Sequence, residues 1–135
     1  MLVLAVLLAA LPPPPACLPI TAQDERRVTL SGRLERHVYP GPPEYMSIRR
    51  GDRAEPALIL VLDRPIRITG GGEDGIACTP FRRVHLTTTH NAVWPRLRAG
   101  IGHRISVSGD GFGRISGHHR APLVVDVREV RRIAR

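Results

Sequence analysis

Six histidines, two cysteines and twenty basic residues, every one of them arginine, are the side chains with chemistry to offer in this sequence. His118 and His119 are adjacent, and neutral imidazole is a good ligand for zinc or copper. Neighbouring residues on a strand point to opposite faces, so a shared metal requires a turn at this pair and a third ligand, His103 or His85, supplied by another strand. No cysteine or carboxylate cluster stands at ligand spacing around them, and the expectation is that the protein holds no metal or other cofactor. One histidine of the pair then packs beneath its loop and bonds backbone groups, while the other is exposed. A zinc or copper protein with His103, His118 and His119 as ligands is the alternative.

Ser106, Ser108 and Ser116 lie close in sequence to His103 and His118. Nucleophilic catalysis needs a hydroxyl beside a base that a third group orients. None of these serines sits in a Gly-x-Ser-x-Gly elbow, and serines that alternate along a strand are ordinary surface residues. The glycine-rich run over residues 70–75 lacks the lysine and hydroxyl residue of a phosphate-binding loop. A non-catalytic protein is expected, with a small hydrolase as a further alternative. The net charge of +8 is compatible with a polyanion-binding surface. The arginines are scattered through every segment, however, and the absence of lysine has the character of a coding bias in a GC-rich genome, so most of them belong to solvated faces and turns.

The elements that must position these groups follow from periodicity. Over residues 28–38, Val28, Leu30, Gly32, Leu34 and Val38 fall on one face, with Thr29, Ser31, Arg33, Glu35 and His37 on the other. A glycine in mid-strand marks a bulge or sharp coil, which a small barrel needs where its first strand bends to serve two sheets. Prolines then make residues 39–45 a rigid loop, and polar residues 47–55 complete the connection. Residues 57–62 are apolar throughout, as in a strand buried on both faces; Asp63-Arg64-Pro65 ends its first part, with residues 66–69 beyond a kink. Residues 82–88 place Val84 and Leu86 inward and His85 outward. Residues 93–98 suit a short helical turn that docks Trp94 and Leu97, with Pro95 in its first turn and Gly100 closing it. Strands over 103–109 and 123–130 flank a glycine-rich turn that begins at Asp110. The expected fold is all-β, a small five-stranded OB-like barrel with a short helical turn between strands 3 and 4.

Residues 1–22 carry no charge, and an apolar run over 1–11 is stopped by four prolines at 12–15. That is the core of an export signal, too short for a membrane span of about 20 apolar residues. The expected organisation is a signal peptide over 1–22, its cut site open between the neighbourhoods of Ala16 and Ala22, followed by one domain over 23–135. The protein is then periplasmic or secreted, with no transmembrane span in its mature form. Proline three residues before Cys17 argues against lipidation there. Cleavage upstream of Cys17 leaves Cys17 and Cys78 free to pair in an oxidising compartment; cleavage downstream leaves Cys78 a lone thiol.

At Gly41-Pro42-Pro43-Glu44-Tyr45, Leu60-Val61-Leu62-Asp63-Arg64-Pro65-Ile66 and Gly117-His118-His119-Arg120-Ala121-Pro122 the chain resembles the bacterial family called domain of unknown function 4431, over roughly residues 28–130. The resemblance implies a small exported OB-like domain and no activity. Where the family pattern has a cysteine after Asp-x-Pro-Ile and a threonine after the histidine pair, this chain has Arg67 and Arg120. Cys78 then either replaces the missing cysteine as partner of Cys17 or the bridge is lost. The expected function is an exported binding or structural module that uses Tyr45, His118, His119 and Arg120, from the 41–45 and 117–122 loops, to recognise an envelope protein or an anionic envelope polymer. The bland alternative is that Tyr45 and a histidine simply pin the two loops together. Nucleic acid is not an expected partner, because residues 57–62 and 82–88 contain no aromatic side chain on which bases could stack. The protein is expected to be a monomer.

Overall fold

The computed structural model describes residues 5–134. The first four residues of the expected export signal therefore lie outside the described residues. Six strands follow in order: β1 (Cys17–Leu18), β2 (Arg26–Pro40), β3 (Ala54–Ile68), β4 (Phe81–Thr87), β5 (Arg104–Gly113) and β6 (Leu123–Arg132). A helix, α1 (Trp94–Gly100), joins β4 to β5. β2 pairs antiparallel with both β3 and β5, β3 pairs with β4, and β6 closes the circuit by lying parallel to β4 and antiparallel to β5. The result is the expected all-β, OB-like ring of five strands, with β1 added at the last two residues of β3, beyond its ladders with β2 and β4.

The ring closes because β2 changes partners halfway along. Its first half pairs with β5 over Arg26 to Arg33, its second with β3 over Gly32 to Pro40, and Gly32 is shared by both ladders. A Cβ at Gly32 would lie 2.2 Å from the Val61 carbonyl oxygen, so only glycine lets β2 and β3 cross there. The core inside the ring is built from alternate residues, among them Leu30 and Leu34, Leu58 and Leu60, Val84 and Leu86, Ile105 and Val107, and Leu123 and Val125. Leu97 of α1 plugs one opening.

Several expectations are corrected. Val38 is exposed rather than inward, because β2 has by then run past the core and only Val28 to Leu34 face it. The glycine-rich stretch from Asp110 is not a turn until after Gly113: Gly109, Gly111 and Gly113 are strand residues of β5. Their lack of side chains serves close approach, since a Cβ at Gly109 would meet the Asp126 carbonyl at 2.1 Å and one at Gly113 the Ala22 nitrogen at 2.9 Å. The kink expected at Asp63-Arg64-Pro65 is present as a bulge, the β3–β4 register shifting between Val61 and Ile66 while β3 runs on to Ile68.

The region after the proline run is part of the domain. Cys17 and Leu18 pair with Arg67 and Ile68, and Cys17 is disulfide-bonded to Cys78. Cys78 donates its backbone N–H to the Ile68 carbonyl, which holds it beside the end of β3 that Cys17 and Leu18 join. Ile20 is fully buried, and its carbonyl accepts from the Gly70 N–H and the Thr69 hydroxyl. Residues 5–16, by contrast, are exposed and in no regular element. Among the described residues no helix is long and apolar enough to cross a membrane.

The crossing at Gly32 gives a direct test. Gly32→Ala should destabilise the domain by about 2–3 kcal/mol, read as a lower urea midpoint, whereas Ser31→Ala beside it should stay within about 0.5 kcal/mol.

Candidate functional site

The β2–β3 connection (residues 41–53) and the β5–β6 connection (residues 114–122) come together at one end of the ring. Glu55, at the start of β3 and opposite Tyr39 in the β2–β3 register, is the group that joins them. Its two carboxylate oxygens lie 2.9 and 2.8 Å from His118 Nδ1, and one also accepts from the Arg120 guanidinium at 2.7 Å. A carboxylate only accepts, so His118 carries its proton on Nδ1. In neutral His118 the other nitrogen, Nε2, is then free to accept from the Tyr45 hydroxyl, 3.1 Å away. The chain Glu55, His118, Tyr45 thus clasps residue 45 to residue 118. Glu55 is held below its ordinary pKa by the His118 hydrogen bond first and the Arg120 bond and charges after it.

Each loop is shaped to make this clasp. Tyr45 adopts a left-handed backbone, φ 57°, an arrangement that costs a bulky residue about 1–2 kcal/mol and that aims its ring at the neighbouring loop. That ring packs on Gly117, where a Cβ would stand 3.1 Å from it. A Cβ at Gly41 would collide with the Glu55 side chain at 2.7 Å. The glycines that open the two sequence motifs are therefore the spaces into which Glu55 and Tyr45 fit. Asp52 braces the first loop, its carboxylate accepting the N–H groups of Glu44, Met46 and Ser47 at 2.8–2.9 Å. Those three bonds, with Ser47 foremost, hold its pKa down.

Arg120 is nine-tenths buried, its guanidinium lying 5.2 Å from the Tyr39 ring centre and 5.7 Å from that of Tyr45. Its backbone N–H is accepted by His85 Nδ1 at 3.1 Å, and Arg83 in turn donates to the Tyr39 hydroxyl at 2.6 Å. Ile59, His85, Val124 and Phe112 form a registered row across the outer face of the ring, and the 114–122 loop folds back over it. His119 packs edge-on against Phe112 and His85 while its Nδ1 accepts the Ile115 N–H at 3.0 Å.

The histidine pair therefore splits, His118 outward into the clasp and His119 onto the ring. His103 is exposed in the turn before β5, where its carbonyl accepts the Leu34 N–H, and is not brought to the pair. Among the described residues no three His, Cys, Asp or Glu side chains are grouped as a metal site. Glu55, Asp52, Tyr39 and Arg83 were not singled out from sequence. Glu55 lay unremarked in the polar connection, and only the β2–β3 register puts it beside Tyr39.

Burial foremost, and then the charges of His119, Arg120 and Arg114, lower the His85 pKa from 6.5 to about 4. Folded protein thus keeps His85 neutral where the unfolded chain takes up a proton. Stability from this group is complete above pH 6.5 and is lost as pH falls from 6.5 towards 4. Partial contact with water reduces the effect to about 1–2 kcal/mol. His85→Asn, which retains an acceptor for the Arg120 N–H, should lose correspondingly less stability than wild type over that interval in chemical denaturation.

No curated protein and no solved structure matches the chain. Residues 83–131, which run from within β4 into β6, match the family model described as Domain of unknown function (DUF4431). The 41–45 and 60–66 motifs precede the matched stretch, which holds the 117–122 motif and bears out the resemblance of this chain to that family.

Proposed function

We propose that the protein is an exported, non-catalytic binding module of the bacterial envelope, periplasmic or secreted and monomeric, which recognises an envelope protein or an anionic envelope polymer through the joined 41–45 and 117–122 loops. The observation that carries this reading is the clasp itself: residues 73 positions apart, Tyr45 and His118, are fixed into one surface before any partner arrives. A preformed surface lowers the ordering cost of association. Around it the two connections display Met46, Ile48 and Ile115, each an exposed large apolar side chain, interspersed with the exposed Arg49, Arg50, Arg53 and Arg114. Apolar anchors within a basic rim suit a partner with apolar patches and acidic surroundings.

Export is supported by the apolar, proline-stopped segment and by a disulfide that belongs in an oxidising compartment. The pairing of β1, the Cys17–Cys78 bridge and the burial of Ile20 support cleavage upstream of Cys17, and a thiol engaged with Cys78 is not free for lipidation.

One feature favours a second reading. Carboxylate, imidazole and hydroxyl in the order Glu55, His118, Tyr45 is the sequence of groups that activates a nucleophile, as in a small hydrolase. Against it, the neighbouring hollow of about 550 Å3 is lined by Tyr39, His119 and Arg120 and by neither Tyr45 nor His118.

Capture from envelope extract tests the binding reading. Met46→Asp with Ile115→Asp should lose the partners of the wild type at an unchanged melting temperature; capture that persists in this variant defeats it. Ester turnover by wild type that disappears in Tyr45→Phe would establish the hydrolase instead. Intact mass of exported protein should show both cysteines retained and two hydrogens fewer before reduction than after.

A further inference from the structure

Arg114 and Arg120 also line a second hollow, of about 420 Å3, whose other walls include Arg83, Glu73 and the backbone of Gly71 and Gly72. The three guanidinium groups come from two segments, Arg83 from β4 and Arg114 and Arg120 from the two ends of the β5–β6 connection. Their donors are largely uncommitted. Arg114 is exposed and makes no side-chain hydrogen bond or ion pair among the described residues. Arg83 gives one N–H to the Tyr39 hydroxyl and has no carboxylate partner among the described residues. Arg120 gives one terminal nitrogen to Glu55, and since no buried side-chain nitrogen lacks a partner among the described residues, its remaining N–H groups open to solvent. The floor is compact and bare, a Cβ at Gly72 coming within 2.7 Å of the Thr79 carbonyl.

We propose that this hollow binds a small polar molecule of about monosaccharide size that carries one oxyanionic group, a phosphate monoester or a carboxylate, held by Arg83, Arg114 and Arg120. This rests on the reading of the protein as a binding module and names a ligand chemistry for it. The volume lies within the range of small-ligand sites. Guanidinium forks match the paired oxygens of both groups. Three guanidiniums against two carboxylates, Glu55 and Glu73, leave the hollow net positive and short of one anion. The positive field is also felt nearby: His119 has its pKa lowered by burial first, then by the charges of His118 and Arg114.

Calorimetric titration of the full disulfide-bonded chain with glucose 6-phosphate, glucuronate and glucose tests it. At least one anionic sugar should bind with a Kd tighter than about 1 mM, and which of the two does so separates phosphate from carboxylate. Glucose should give no binding. Arg114→Gln should weaken the anion about fivefold or more without lowering the melting temperature, since its side chain holds nothing else in place. Glu73→Gln should tighten it about twofold by removing a competing negative charge. Arg96→Gln, at an exposed arginine of α1 that does not line the hollow, should change nothing. The proposal is overturned if neither anion binds tighter than about 1 mM, or if Arg96→Gln weakens binding as much as Arg114→Gln. The titration needs no macromolecular partner, so absent anion binding with envelope capture intact overturns this inference alone. Anion binding with no capture overturns only the envelope-partner reading.

Discussion

The crossing of β2 over β3 at Gly32 is the constraint on which the rest of the molecule depends. With the Val61 carbonyl where a Cβ would be, β2 can leave one ladder and join the other without a gap, and a sheet that would otherwise have two open edges closes on itself. Gly109 does the corresponding work where β5 meets β6 and the register slips by one residue. Closure in turn decides which connections are neighbours. The β2–β3 and β5–β6 loops are far apart in sequence, yet the closed ring sets them at the same end, with Glu55 between.

Glu55 shows how little chemistry is needed to turn two loops into one object. A single half-buried carboxylate takes a proton-bearing nitrogen from His118 and a guanidinium from Arg120, and each of those then touches Tyr45. Charge-assisted bonds of this kind are stronger than neutral ones, and here they share one acceptor, so the clasp is a cooperative unit and not three separate contacts. The left-handed conformation at Tyr45 is sustained by that unit together with the three N–H bonds to Asp52.

Strand alternation made much of this legible. Leu30, Leu34, Val84 and Leu86 read as inward and are inward, and Gly32 read as a bend and is one. Val38 misled because periodicity says which face a residue shares and not how far the core extends. Residues 109–113 misled because glycine marks both turns and crowded strands, and only the neighbour at 2.1 Å tells them apart. Glu55 was illegible because its partners lie 63 and 65 residues away. Tyr45 and His118, carried by family resemblance, are the pair that the fold does bring into contact.

The parallel pairing of β6 with β4 has a consequence for how the chain reaches this form. Among the described residues β6 is the only element that bridges β4 and β5. Without the β6 pairings the ring is open between β4 and β5, so closure is one event that involves both neighbours of β6. The ten-residue β6 makes pairings that are distant in sequence, a topology of the kind that in small domains folds on the order of milliseconds to seconds. With β6 undocked, β4 and β5 present two sheet edges to any other chain, and docking of that one strand is what withdraws both from mispairing.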